Sequence, residues 1–272
     1  MAAFGYGLAV GPEQYQNGST TRYAHHVTEP GDPFAEVGAE VLQELWTAAG
    51  AAPILVATGS TPMPIYAQLG RRVADGDFDV PASPIVQLDE YVGVDDADPR
   101  SLYGWMKRGF LAPLGIDEGR AIRLRGDVED PAAESARFEE EVRSAGGIGI
   151  AVLGLGPNGH LGFNEPPCAV SAVSRVVPLT PESLVSNAAY WDGRPVPTHA
   201  LTAGMTLILD ADVVVLVVGG AHKRAVLEQA LLGPESDDNP ASHLRRAGRL
   251  IVVADDAAAS VPLELNLSTT TV

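Results

Sequence analysis

The chain has 272 residues, a formal net charge of −17 and a single cysteine, Cys168. Such an acidic surface repels nucleic acid and anionic membranes, so we expect neither as a partner. One cysteine excludes an intrachain disulfide, which suits a reducing cytoplasm. We also expect no signal peptide, and no stretch approaches the roughly 18 apolar residues that a membrane-spanning helix needs.

Five short apolar runs, rich in valine and isoleucine, predict strands that are buried on both faces. They are PILVAT at 53–58, PIVQLD at 84–89, IGIAVLGL at 148–155, DVVVLVVGG at 212–220 and RLIVVAD at 249–255. Helical patterns lie between them, at 62–73, 131–144 and 222–232. This alternation indicates an α/β fold with a mostly parallel sheet, Rossmann-like with helices on both faces, in one domain over 1–272. The polar tail at 260–272 is compatible with an edge strand or with disorder.

Because ligands of open α/β sheets bind at the carboxyl ends of the strands, the residues that follow each strand are the first candidates for a site. The first run is followed by TGSTP, which comprises Thr58, Gly59, Ser60, Thr61 and Pro62. A glycine–hydroxyl loop that enters a helix offers free backbone N–H groups and the positive end of the helix dipole, so it can bind phosphate. The alternative is that Ser60 or Thr61 only caps the helix.

Acidic residues follow the second run, where Asp89 and Glu90 end the strand. Two neighbouring carboxylates can raise the pKa of one of them, which suits a general base. The alternative is an ordinary solvated acidic loop.

The third run leads into GLGPNGHLGFNEP at 154–166, where four glycines surround one histidine. His160 titrates near neutral pH and can move protons, Glu165 could orient its ring, and Asn158 could supply a neutral hydrogen bond. This combination at a strand end favours a catalytic role over a buried structural histidine.

One lysine, Lys223, follows the fourth run in the first turn of the predicted helix. The helix dipole disfavours a cation there, which suggests a nearby anion, although a surface lysine is the alternative. The six histidines show no metal-binding spacing and no dinucleotide fingerprint is present, so we expect neither a metal nor a redox cofactor.

Several motifs occur together in one order, and with them the chain resembles the glucosamine-6-phosphate deaminase/isomerase family, relatives of 6-phosphogluconolactonase. The motifs are TGSTP, LDEYVG, SLYGWM, GLGPNGHLGFNEP, SRVVPLT, ALTAGMTLILDA, GGAHK and NPASHL, and the likeness covers roughly residues 35–255. The resemblance implies a Rossmann-like fold and a cofactor-free enzyme that converts an amino sugar phosphate to a ketose phosphate, with hydrolytic release of ammonia.

The same resemblance implies roles for individual residues. Asp89 corresponds to the proton shuttle between C2 and C1 of the sugar, His160 to the residue that opens the ring, and Glu165 to its partner. Asn158 stands where some members carry aspartate. Gly59, Ser60 and Thr61, next to Thr58, correspond to the phosphate loop, and Lys223 corresponds to the phosphate-binding lysine.

The chain departs from the family where many members carry a phosphate-binding arginine, because the matching position is Ala189. Arg175 or Arg194 could compensate for this loss. Val177 and Pro178 stand at positions of the basic allosteric cluster, so we expect no activation by an acetylated amino sugar phosphate. Residues 1–33 diverge from the family, whose members range from monomers to hexamers, so a homo-oligomer stays open.

The alternatives are the same proton machinery acting on a different sugar or sugar phosphate, hydrolysis of a lactone as in the sister family, and a sugar-phosphate-binding regulator without turnover. The retained Asp89, His160 and Glu165 argue against the regulator, since binding alone needs no proton shuttle.

Overall fold

In a computed structural model of the chain, residues 21–27 and 33–259 are described. Their strands are β1 (Thr21–Val27), β2 (Ile54–Val56), β3 (Ile85–Gln87), β4 (Asp89–Tyr91), β5 (Ala121–Ile122), β6 (Ile150–Gly154), β7 (Arg175–Pro178), β8 (His199–Thr202), β9 (Val213–Val218) and β10 (Arg249–Asp255). The helices are α1 (Pro33–Ala49), α2 (Met63–Asp75), α3 (Leu102–Met106), α4 (Pro131–Ser144), α5 (Pro181–Asn187), α6 (Met205–Leu209) and α7 (Arg224–Leu232).

The main sheet has seven strands in the order β1-β10-β9-β6-β2-β3-β5, and every neighbouring pair is parallel. All five strands that the apolar runs predict belong to it, so the predicted α/β class is confirmed. From β2 the chain runs outward to β3 and β5 and then returns to β6 on the other side of β2. The carboxyl ends of β2 and β6 therefore flank the topological switch point, where such sheets bind ligands.

Two apolar layers cover the sheet, which explains why its strands are continuously hydrophobic. Along β9, Val214 and Leu216 belong to the cluster that includes Phe138 of α4, whereas Val215 and Val217 belong to the cluster that includes Trp46 of α1. Alternate side chains of one strand thus enter opposite cores, as expected when both faces are covered by helices.

A second sheet of three antiparallel strands, in the order β4-β8-β7, was not predicted from the sequence. Its first strand is only three residues long and begins with two acids, so it carries no apolar pattern that would reveal it. One residue, Leu88, separates it from β3, and Asp89 then pairs with Thr202 of β8. The chain therefore passes from the parallel sheet to the antiparallel one at the candidate base.

Several other elements were also missed, among them one strand and one helix near the N-terminal end of the described residues. Strand β1 pairs with β10 at the edge of the main sheet and lies within the segment that the sequence left unassigned. Helix α1 precedes β2 and buries Leu42 and Trp46. The tail at 260–272 lies outside the described residues. No helix among the described residues is long and apolar enough to cross a membrane.

Candidate active site

A cavity of about 230 Å³ lies at the carboxyl ends of the central strands. It is lined by the segments that follow β2, β6 and β9, by β4, and by residues of α3 and α5. Predicted site residues in this lining are Thr58, Gly59, Ser60, Thr61, Asp89, His160 and Lys223. The topology thus brings together residues that are more than 160 positions apart in sequence.

The predicted phosphate loop forms one part of this wall. Helix α2 begins after Pro62, and no side chain of the described residues accepts a hydrogen bond from the N–H groups of its first turn. The alternative in which Ser60 or Thr61 serves only as a cap is therefore not what the structure shows. Free N–H groups at the start of a 13-residue helix beside a cavity suit an anionic ligand.

Asp89 and Glu90 are both buried, with 8 % and 2 % of their surface exposed, so they do not form a solvated acidic loop. The carboxylate of Glu90 accepts hydrogen bonds from the backbone N–H groups of Tyr91 (2.9 Å), Leu102 (3.0 Å) and Tyr103 (2.8 Å). Its bonds hold α3 against β4 and keep Glu90 away from the cavity, whereas Asp89 lines it.

Burial raises the pKa of Asp89 to about 8, and the neighbouring charge of Glu90 adds to this shift. Burial also raises the pKa of Glu90, although its hydrogen bonds oppose the effect. A carboxylate with a high pKa is a stronger base than an exposed one and can hold a proton during a reaction. The geometry therefore gives Asp89 the properties that its position in the sequence suggested.

His160 is half-buried and lines the cavity through the loop that follows β6. Burial lowers its pKa, the charge of Glu165 raises it, and the charge of Lys223 lowers it. Nδ1 of His160 and Oε1 of Glu165 are both buried without a hydrogen-bond partner among the described residues. The other oxygen of Glu165 accepts from the N–H of Thr180 at 3.1 Å. Glu165 thus acts on His160 through its charge and does not line the cavity itself.

Asn158 does not face the cavity either. Its Oδ1 accepts from the backbone N–H of His160 at 3.3 Å, and its side chain borders a separate groove next to α7. The amide thereby shapes the turn that carries the histidine and leaves the imidazole ring to Glu165.

Two glycines explain the composition of this turn. A Cβ atom on Gly156 would lie 2.3 Å from the ring of His160, so only glycine allows the ring to pack over the backbone there. Gly159 has φ of 85°, and a Cβ atom on it would lie 2.1 Å from Oδ1 of Asn239. The glycines are thus required by the close approach of the histidine and by the reversal of the chain.

Lys223 ends a short 3₁₀ turn directly before α7, and its side chain is half-buried in the cavity wall. Burial lowers its pKa. No carboxylate of the described residues lies within ion-pair distance of its ammonium group. A desolvated cation without a carboxylate partner is suited to an anionic ligand.

The two arginines that were expected to compensate for Ala189 do not line the cavity. Arg175 donates from Nη1 to Oδ1 of Asn164 at 2.8 Å and contacts Sγ of Cys168 with Nη2 at 3.4 Å. Arg194 is exposed, and its charge acts on Asp98 outside the cavity. Their positions do not support phosphate contacts.

Sequence reasoning missed a further part of the wall, which is formed by Arg100, Trp105 and Tyr190 together with polar residues of α5. The rings of Trp105 and Tyr190 meet edge to face with centroids 4.9 Å apart. Trp105 lies in the motif SLYGWM, whereas Tyr190 lies in none of the quoted motifs, and the conformation of α3 and α5 that directs both inward could not be inferred from spacing. Among the described residues, no group of three or more histidine, cysteine or acidic side chains could hold a metal ion.

Known proteins are similar to this chain over most of its length. Residues 31–252 match the family described as glucosamine-6-phosphate isomerases/6-phosphogluconolactonase. A glucosamine-6-phosphate deaminase of Streptomyces avermitilis is 37 % identical over 227 residues, covering 83 % of this chain and 87 % of that protein. A second one, from Cutibacterium acnes, is 39 % identical over 211 residues, covering 77 % and 81 %.

Solved structures show the same relationship. A monomeric glucosamine-6-phosphate deaminase superposes with a TM-score of 0.82 at 30 % identity, covering 87 % of this chain and 98 % of that one. A 6-phosphogluconolactonase from Thermotoga maritima has a TM-score of 0.68 at 16 % identity, covering 86 % and 100 %, and shares the fold alone. With a family match over most of its length and relatives above one third identity, the chain belongs to the glucosamine-6-phosphate isomerase/6-phosphogluconolactonase family.

Proposed function

We propose that the protein is a glucosamine-6-phosphate deaminase, which converts glucosamine 6-phosphate and water to fructose 6-phosphate and ammonia. The observation that carries this proposal is the buried Asp89, whose raised pKa and position in the same cavity as His160 suit proton transfer between neighbouring carbons. The names of the similar proteins support the choice of substrate.

The proposed reaction starts with ring opening, for which His160 moves a proton between the ring oxygen and the C1 hydroxyl. Its pKa is lowered by burial, so the ring is neutral near pH 7 and can accept that proton. Glu165 orients the imidazole and stabilises its protonated form. Asn158 contributes by holding the backbone of the turn.

Asp89 then removes the proton from C2, and the substrate's ammonium group passes a proton to the carbonyl oxygen on C1, which gives an enolamine with a hydroxyl on C1 and an amino group on C2. The same carboxyl returns the proton to C1, and the C2–N bond becomes an iminium. Water adds to C2 and the C–N bond breaks, which leaves the ketone and releases ammonia, so the proposal includes a hydrolytic final step. Each positioned proton transfer contributes about 10² to 10⁴ in rate.

The phosphate group is assigned to the segment Thr58–Thr61 and to Lys223. The N–H groups at the start of α2 and a half-buried ammonium group lie in the same cavity wall. Binding there would fix the far end of the sugar and align C1 and C2 with Asp89. A cytoplasmic location, one domain over the whole chain and a homo-oligomeric state stay predictions.

A second candidate keeps this machinery but acts on a different amino sugar or sugar phosphate. It is favoured by one observation, that Ala189 occupies the position of the phosphate-binding arginine and that neither Arg175 nor Arg194 lines the cavity.

Coupled detection of ammonia and fructose 6-phosphate, after purified protein is mixed with glucosamine 6-phosphate, tests the leading proposal. Galactosamine 6-phosphate and unphosphorylated glucosamine, run in parallel, test the second candidate, and 6-phosphogluconolactone tests hydrolysis of a lactone. The Asp89→Asn variant is the matched control, since it keeps the shape of the side chain and removes the base. A folded wild-type protein that releases no ammonia from any of these amino sugars would refute the proposed activity.

A further inference from the structure

Arg100 is held rigidly at the edge of the cavity by two neighbours. Its Nε donates to Oδ1 of Asp98 at 2.7 Å and its Nη2 donates to Oδ2 of the same carboxylate. Its guanidinium carbon lies 4.6 Å from the centroid of the Trp191 ring. These contacts fix the plane of the guanidinium group and use only one side of its fork.

The remaining side of the fork is available for another partner. Nη1 of Arg100 makes no hydrogen bond to any of the described residues, and the Arg100 side chain, which is 19 % exposed, lines the cavity. If Arg100 served only to pair with Asp98 at the surface, its side chain would not need to line the cavity, because Asp98 could bind an arginine that points to solvent. The arrangement instead matches a cation that a carboxylate and an aromatic ring orient toward a ligand.

The negative charge around the cavity also favours a second cation beside Lys223. Arg100 and Lys223 are the lysine and arginine side chains of the cavity lining, which also contains Asp89, in a chain with a net charge of −17. A phosphate dianion that enters this field is better stabilised by two cations than by one.

The topology places these cations on two sides of the phosphate loop. Lys223 follows β9, whereas Arg100 precedes α3, which Glu90 fastens to β4 beyond β3. In the strand order β9-β6-β2-β3, the segment Thr58–Thr61 emerges from β2, between them.

On these grounds we infer that Arg100 binds the phosphate group of the substrate and performs the task of the arginine that Ala189 replaces. This inference rests on the proposed function for the identity of the ligand, but the predicted anion contact does not depend on turnover. The role is that of a binding and specificity-determining residue.

The test compares Arg100→Ala and Arg100→Lys with Arg194→Ala. Arg194 is a matched control because it is an exposed arginine whose charge also acts on Asp98, but it lies outside the cavity. Binding of inorganic phosphate and of glucosamine 6-phosphate is measured by titration calorimetry, and KM and kcat for ammonia release are measured separately.

Loss of a charge-assisted contact is expected to weaken both ligands by about 10- to 100-fold in Arg100→Ala, with a corresponding rise in KM that exceeds the fall in kcat. Arg100→Lys should recover part of this loss, and Arg194→Ala should bind as the wild type does. If Arg100→Ala fails to fold, the affinities and KM values of Arg100→Lys and Arg100→Gln are compared with those of the wild type instead.

Unchanged phosphate affinity in Arg100→Ala would overturn the inference and leave Arg100 as a structural partner of Asp98 and Trp191. An equal loss in Arg194→Ala would also overturn it, because the effect would then come from net charge. So would a wild-type protein that binds neither ligand. A wild type that binds phosphate through Arg100 but releases no ammonia would refute only the proposed reaction.

Discussion

Replacement of Asp89 by asparagine should abolish turnover and make the protein more stable. Asparagine has nearly the same shape but cannot ionise or carry a proton. The wild-type carboxyl must lose its proton in a buried site beside Glu90, which is why its pKa is raised to about 8. The same burial that makes Asp89 a strong base therefore destabilises the folded state.

The size of the effect follows from the shift in pKa. Because the folded pKa lies above the ordinary value of 3.8, the folded protein retains a proton that the unfolded chain releases between these two pH values. The stability of the wild type falls as pH rises from 3.8 to about 8 and then stays low. At about 1.4 kcal/mol per pH unit, the penalty is about 4 kcal/mol at pH 7 and about 6 kcal/mol above pH 8, and water in the cavity reduces it.

Thermal unfolding of both proteins at pH 5.5 and pH 8.5 measures this penalty. Each kcal/mol corresponds to about 2–4 °C in Tm for a domain of this size. Asp89→Asn should unfold several degrees above the wild type at pH 8.5, and this advantage should shrink at pH 5.5. Asp79→Asn, at an exposed position, is the control and should leave Tm nearly unchanged at both pH values.

A variant that is inactive but no more stable than the wild type at pH 8.5 would refute the reasoning. In that case the carboxylate would be well solvated or paired in the folded state, and burial could not be the origin of its basicity. Normal turnover in Asp89→Asn would remove Asp89 from the mechanism altogether.

Three further predictions concern the site and its loop. The value of kcat/KM should rise about tenfold per pH unit below pH 8 and level off above it, because Asp89 must be ionised; a profile already flat at pH 6 would contradict this. Glu165→Gln should lower kcat about 10²-fold in steady-state kinetics, because the charge of Glu165 raises the pKa of His160. The control Glu182→Gln, at an exposed position, should leave kcat unchanged, and an equal kcat in both variants would contradict the prediction. Gly159→Ala should lower the free energy of unfolding by about 1–3 kcal/mol more than Gly146→Ala, as measured by urea unfolding. Both glycines have positive φ, but only at Gly159 would the new Cβ atom clash with Asn239. Equal losses would show that Asn239 moves aside at no cost.

The main sheet could be predicted from the sequence because its strands are buried on both faces. Each strand is then a continuous apolar run, and the polar residues that follow it mark the edge where ligands bind. This logic predicted that the TGSTP segment, Asp89, His160 and Lys223 lie at one edge of the sheet, and the structure places them in the lining of one cavity.

The antiparallel sheet and the direction of several side chains could not be predicted in the same way. Strand β4 has the sequence DEY, and its burial depends on β8 and α3, which are distant in sequence or formed only in the fold. Arg175 lies in the motif SRVVPLT, and Arg100 directly precedes the motif SLYGWM. Arg175 is held by Asn164 and Cys168, away from the cavity. Arg100 is held by Asp98 and Trp191, at the cavity. These tertiary contacts, which the sequence does not reveal, determine which arginine faces the cavity.

The passage from one sheet to the other at Leu88 limits how the proposed base can move. Gln87 pairs with Val56 in the parallel sheet and Asp89 pairs with Thr202 in the antiparallel sheet, so the backbone is fastened on both sides of the carboxylate. Asp89 therefore has little freedom to follow a substrate, and its direction is set before any ligand arrives. Under the proposed mechanism, adjustment to different sugars would come from other lining residues, such as those of helix α5, while the position of proton transfer stays fixed. Substrate choice and proton transfer would then belong to separate parts of one cavity, so that the first could change in evolution without loss of the second.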